Sequence, residues 1–292
     1  MFTTVQDLGR WGYQSRGVPV SGAMDWWSHR LANRLVGNES SAATLEVTLI
    51  GPQLRFDGQA AFCVTGAEFS LTLDDMPVGM HRAIEAGAGA VLKFGARARG
   101  ARAYVAIAGG LDVPRVLGSR STHVLTRMGG YEGRALRTGD TLAICRDGKC
   151  EGMAAPQPSI LTMSGGDGAT LRVIPADEQL FTRLASLPFR VSSRSDRMGY
   201  RLEGSVGGTT TGELVSTSVP IGAIQVPPAG EPILLMNDHA TAGGYAVAGV
   251  VITADLPLAG QMAPGDRIEF AACSTDVAQT ALRRWESALG EP

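Results

Sequence analysis

Lysine is almost missing from this chain of 292 residues: it stands only at Lys93 and Lys149, so the 26 basic residues are nearly all arginine. A catalytic lysine therefore has few candidate positions. Cysteine is scarce too. Cys63 sits inside the apolar run AAFCVTG and reads as a small core residue. Cys145 and Cys150 flank RDGK and could meet across a turn, but a disulfide is not expected in a reducing cytosol. No pair forms a CxxC, and His29, His81, His123 and His239 are scattered singly, which leaves zinc without a ligand set. There is no apolar run long enough to span a membrane and no signal peptide is read, so the cytoplasm is the expected compartment. With a net charge of −2 and a pI near 6.1, the chain lacks the basic excess that nucleic-acid binding needs. Nucleotide and acyl signatures are missing as well. Gly148-Lys149 is followed by Cys150 rather than Ser or Thr, Gly87-Ala88-Gly89 does not continue to a third glycine, and neither G-x-S-x-G nor H-E-x-x-H occurs.

What the chain has instead is glycine, 38 residues of it, between many short apolar runs. AVLKFG (90–95), RAYVAIAGG (102–110), TLRVIP (170–175), PILLMN (232–237) and YAVAGVVIT (245–253) are bounded by Gly, Pro or Asp. That pattern predicts a mainly β protein of barrels or sandwiches rather than βαβ units. Helical spacing is confined to 26–36, 177–187 and 276–289, each opened by an aspartate (Asp25, Asp177, Asp276) and each expected to pack an apolar stripe on the core. Two stretches echo each other, LRTGDTLAI (136–144) and MAPGDRIEF (262–270), with a looser third copy at 84–94. A Gly-Asp turn and a strand closing each of two domains would explain the echo. The expected division is a first domain over 1–145, a Pro/Gly/Ser-rich linker over 146–168 and a second domain over 169–292.

Four glycine-framed polar clusters stand out in a chain only 18% charged. The first, TVQDLGRWGYQSRGVPVSGAMD (4–25), carries Gln6, Asp7 and Arg10. The second, RSDRMGYRLEG (194–204), sets Arg194, Asp196, Arg197 and Arg201 around one turn. Tyr200 and Leu202 alternate there with charges, as on a half-buried strand entered from Gly199. Three arginines so placed could hold a carboxylate or phosphate, unless Asp196 neutralises Arg194 or Arg197 locally. The third, GAIQVPPAGEP (222–232), has Gln225 alone on an apolar strand, where a buried amide needs partners. The fourth, NDHATAGGY (237–245), offers Asp238, His239 and Thr241 on a loop between buried strands; His239 could act as a base near neutral pH.

Taken together, the motifs TVQDLGR, GVPVSGAMD, LVGN, LGSRST, SDRMGYRL, GAIQVPP and GGY resemble the allophanate hydrolase subunit 2 family, also called the KipA-like or biotin-dependent carboxyltransferase family. The resemblance runs over about residues 3–270. It implies two cyclophilin-like β-barrel domains and a subunit 1 (KipI-like) partner. Stand-alone bacterial members resemble the C subunit of 5-oxoprolinase, which implies ATP with Mg2+, a further partner of LamB/YcsF type, and ring opening of 5-oxoproline to glutamate. Asp7, Asp196 or Asp238 would then orient a proton or a metal. Gln6, Arg10, Arg194, Arg197, Arg201, Gln225 and Thr241 would hold substrate or nucleotide. Fused members imply an alternative, a carboxyl transfer to urea from carboxybiotin on a separate carrier, since no Met-Lys-Met site occurs here. A third possibility is regulatory binding of a KipI-like kinase inhibitor. The chain departs from the family pattern where it begins almost at TVQD, at Trp11 in GRWGY, and at Ala240 and Ala242 in the fourth cluster.

Overall fold

The computed structural model describes residues 2–145, 168–208 and 215–290. The chain forms two compact units, one of residues 1–10 with 21–158 and the other of 11–20 with 159–292. The expected linker falls, except for Gly168, outside the described residues. Residues 11–20, read from the sequence as part of the first domain, cluster with the second unit. The excursion is pinched at its base, where the Ala23 N–H donates to the Asp7 carbonyl at 2.9 Å.

The first unit contains β1 (Phe2–Gln6), α1 (Trp26–Leu35), β2 (Thr44–Thr48), β3 (Gln53–Arg55), β4 (Ala60–Leu73), β5 (Met76–Val78), β6 (Ile84–Ala86), β7 (Val91–Ile107), β8 (Leu111–Asp112) and β9 (Ala143–Ile144). Seven of these strands make one sheet in the order β1-β2-β7-β4-β5, with β3 also on β7 and β6 also on β4. All its pairings are antiparallel. Val5, Leu45, Val47, Phe62, Val64, Leu92 and Val105 from these strands form the apolar core. Helix α1 starts where expected, because the Asp25 carboxylate accepts the Ser28 N–H at 2.9 Å, and it buries Trp27, Leu31 and Leu35.

The second unit contains β10 (Gly168–Pro175), α2 (Glu178–Ala185), β11 (Phe189–Val191), β12 (Gly199–Glu203), β13 (Thr217–Ser218), β14 (Ala223–Val226), β15 (Ile233–Leu235), β16 (Ala242–Gly243), β17 (Ala246–Val251), α3 (Leu256–Gly260), β18 (Arg267–Ala272) and α4 (Thr275–Ala288). Seven strands close a barrel in the order β10-β17-β14-β15-β12-β11-β18, sealed by a parallel β10–β18 pairing. Closure leaves no open edge in this sheet. A two-stranded ribbon, β13 with β16, stands apart from it.

The Gly-Asp echo is physical. In both copies the Asp N–H donates to the carbonyl three residues back, from Asp140 to Arg137 and from Asp266 to Ala263, each at 3.1 Å. Gly139 and Gly265 both have φ +93, which the third position of a type II turn requires. The carboxylates accept the same N–H, from Arg137 at 2.7 Å and from Ala263 at 2.8 Å. Only the second copy leads into a barrel strand, β18; the first leads into β9, which pairs with β8 alone.

Two expectations about helices are corrected. Helix α4 buries none of its residues; Val277 is 46% exposed, and only Leu289, just beyond the helix, is buried. The barrel completes its core without it, and α4 lies over the 3-10 turn Thr253–Asp255 instead. Its N-cap is Ser274 rather than Asp276, which sits in the first turn. Leu187, expected inward, is 39% exposed, since α2 ends at Ala185.

Candidate functional site

In the first unit, β1 runs into a turn that brings Gln6, Asp7 and Arg10 beside the segment 119–122. The Asp7 carboxylate accepts four hydrogen bonds: at Oδ1 from the Gly9 N–H (2.8 Å), the Ser119 hydroxyl (2.6 Å) and the Ser121 hydroxyl (2.5 Å), and at Oδ2 from the Arg120 N–H (2.5 Å). Burial alone would raise its pKa; these donors outweigh burial and hold it below its ordinary value of 3.8. Asp7 is thus a brace that is charged at neutral pH. Its contribution to stability is present above pH ~4 and is lost as pH falls through its lowered pKa. The Gln6 amide donates to Thr4 Oγ1 at 3.0 Å and to the Thr122 carbonyl at 3.1 Å. Arg10, 1% exposed, donates from Nη2 to the Ser121 carbonyl.

Behind this turn lies a buried polar core that the sequence reading missed. Glu46, in the middle of β2, is fully buried and accepts the Met24 N–H and the Tyr104 hydroxyl at Oε2, both at 2.8 Å. Tyr104 in turn accepts the Asp25 N–H at 2.8 Å. Its pKa is driven well above 10, first by burial and then by the Glu46 and Asp25 charges. His29 stands against Thr44 Oγ1 at 2.9 Å. Burial pushes its pKa down from 6.5 to about 4, although the Asp7 and Glu46 charges oppose the shift. The sign follows directly. Below pH 6.5 the unfolded chain takes up a proton that the fold refuses until about 4, so stability should fall as pH drops through that window and then level off. The drop expected is on the order of 3 kcal/mol, and a His29→Gln variant followed by urea unfolding at pH 7 and pH 4.5 should lose most of it. One acid inside the apolar strand TLEVT was the available signal.

In the second unit, strand pairing of β12 with β15 brings the loops before and after them together. Arg197, 6% exposed, donates from Nε and Nη2 to the two oxygens of Asp238 at 2.9 and 3.1 Å, a bidentate pair. The Asp238 N–H returns a bond to the Arg197 carbonyl at 2.8 Å. The partner of Arg197 is therefore Asp238, not Asp196. The Asp196 carboxylate instead closes its own turn by accepting the N–H groups of Met198 (2.8 Å) and Gly199 (3.3 Å). Arg194 is exposed and lies 3.6 Å from Glu231. The three arginines do not converge: Arg197 is buried and paired, while Arg194 and Arg201 face outward. Nor is His239 a free base. Its Nδ1 lies 2.6 Å from the Met236 carbonyl and its Nε2 lies 3.1 Å from the Val219 carbonyl. Thr241 uses its backbone carbonyl to accept the Val219 N–H at 3.1 Å.

Gln225 is the exception among these braces. It lies on β14, 6% exposed, and its Nε2 has no hydrogen-bond partner. Gly243 of the ribbon packs on its amide so closely that a Cβ there would stand 2.4 Å from Nε2. Register places Gln225 opposite Ile233 on β15, and Ile233 opposite Arg201 on β12. Tyr200 and Leu202 point inward and Arg201 outward, so this row runs over the outer face of the barrel.

A divalent cation fits these clusters poorly. Asp7 and Asp238 have both carboxylate oxygens bonded to the donors named above, Asp196 holds its own turn through Oδ1, and among the described residues no group of three His, Cys, Asp or Glu gathers. No helix among the described residues is long and apolar enough to cross a membrane.

The pattern of the carboxyltransferase domain, subdomain A and B, matches residues 16–272. The chain belongs to this carboxyltransferase family. Its relatives include the 5-oxoprolinase C subunit of Escherichia coli, 40% identical over 96% of this chain and 91% of the relative. The protein of the same name from Haemophilus influenzae is 36% identical over 99% and 94%. Among solved structures, the K. lactis urea amidolyase superposes with a TM-score of 0.91 at 34% identity. The chain matches over 99% of its length there but spans only 19% of that much longer protein. The family read from the motifs is thus the family found.

Proposed function

We propose that this chain acts as the C subunit of a 5-oxoprolinase, an enzyme assembled from several chains. The observation that carries this reading is length together with identity. The chain spans 91% and 94% of two relatives bearing that name, against 19% of the urea amidolyase. In chemical terms, a lactam carbonyl is a poor electrophile, and an activated ring must be held while its amide bond is opened. Asp7, Asp238 and Glu46 are taken up as structural braces, and Asp196 holds its own turn. We therefore assign ATP and Mg2+ to the KipI-like and LamB/YcsF-type partners, and assign to this chain the holding and orienting of the substrate.

The test is reconstitution. The three chains purified together should hydrolyse ATP only when 5-oxoproline is present, and omission of this chain should abolish that turnover. A complex inert toward 5-oxoproline that carboxylates urea, once a biotin carrier is supplied, would replace this reading with the carboxyltransferase one. That second reading is supported by the TM-score of 0.91 to the urea amidolyase. Capture of a KipI-like chain without any turnover would favour the regulatory role.

A further inference from the structure

We infer that the outer face of the barrel across β12, β15 and β14 is a two-point binding site for a small cyclic amide that bears a carboxylate. Arg201 would take the carboxylate and Gln225 the ring carbonyl. The inference rests on the proposed function and adds to it the place and the chemistry of substrate recognition. Three observations carry it.

First, Gln225 buries an amide N–H that nothing satisfies. A buried orphan donor costs about 1–3 kcal/mol, and its neighbours Ile233 and Val247 are apolar and could accommodate an aliphatic residue there. An unfilled donor on an otherwise apolar floor matches an acceptor oxygen brought from outside. Second, the Arg201 guanidinium, exposed on the same face, pairs with no acid among the described residues, unlike Arg194 and Arg197. Among the described residues no acid takes up its donors, which suit a carboxylate. Third, the register sets the two side chains in one row, with Ile233 between them. Two strand spacings put their Cα atoms about 10 Å apart, so the two long side chains can converge over Ile233 on the two ends of one small ring. The cover over Gln225 is the short ribbon β13–β16, with register pairs Thr217 with Gly243 and Ser218 with Ala242 and one further bond from the Val219 N–H to the Thr241 carbonyl. So short a ribbon has little stability of its own and can yield to a ligand.

The experiment compares the reconstituted wild-type complex with R201A and Q225M, using 5-oxoproline and 2-pyrrolidinone, the same lactam without its carboxylate. The R201A change should raise KM for 5-oxoproline by ~10- to 100-fold, the loss of one charge-assisted contact. It should also collapse the preference for 5-oxoproline over 2-pyrrolidinone. Q225M should lower kcat/KM for both lactams while the thermal midpoint of the chain stays level or rises, because it removes an unsatisfied amide. A purely structural Gln225 would give the reverse, a lower midpoint with KM unchanged, and that result overturns the proposal. So does an R201A complex that keeps the wild-type preference. If the wild-type complex turns over no 5-oxoproline, the functional reading fails on its own. Equilibrium dialysis of 5-oxoproline against the full chain then decides the site: saturable binding weakened in R201A sustains it, and no binding overturns it.

Discussion

Replacing Arg197 with alanine is expected to destabilise the chain by about 3–5 kcal/mol, and replacing Asp238 with alanine by a similar amount. Both side chains are 7% exposed and joined by two hydrogen bonds. Removing either leaves its partner charged and out of water. The cost measured is that of an orphaned ion, not the net worth of the pair. The double variant Arg197→Met/Asp238→Leu should therefore recover much of the loss. Urea unfolding of the two single variants and the double variant measures this directly. Single variants within 1 kcal/mol of the parent would mean that water screens the pair and that the loops before β12 and after β15 are not clamped by it.

Gly129→Ala should cost at least ~3 kcal/mol, read as a lowered thermal midpoint and an earlier urea transition. Gly129 has φ +68, and a Cβ there would lie 2.1 Å from the Ser121 carbonyl oxygen and 2.7 Å from Arg10 Nη2. The carbonyl displaced is the one that Arg10 holds, so the same methyl group breaks a buried guanidinium contact. Gly17→Ala is the control. Gly17 has φ +79 with nothing within 4 Å of the added carbon, so only the backbone term of about 1–2 kcal/mol remains. Equal losses in the two variants would show that strain rather than collision governs both, and would remove the 121–129 contact from the account of how the Asp7 turn is held.

The parts of this fold that were legible in the sequence are those decided within a few residues. Asp25 and Asp177 cap α1 and α2 through N–H groups three positions ahead, and the alternation of Tyr200, Arg201 and Leu202 tells in from out on β12. The parts that were not legible depend on partners far along the chain. Asp196 is adjacent to Arg197, yet Arg197 pairs 41 residues away, while Asp196 Oδ1 closes its own turn. Glu46 and Tyr104 meet over a separation of 58 residues. Arg201 and Gln225 come into one row only through the register of β15, which no local pattern encodes. The stripe on α4 shows the opposite failure. Its apolar face predicts a core element, but a sheet that closes on itself has no gap left for it to fill.

The short excursion of residues 11–20 has a practical consequence for anyone cutting this protein in two. A single break between Pro158 and Ser159 would sever the first part with a borrowed strip still attached and leave the second part lacking it. Halves expressed separately are expected to be poor imitations of the units, and a faithful dissection would have to graft the strip onto the second fragment and bridge Arg10 to Ser21 in the first.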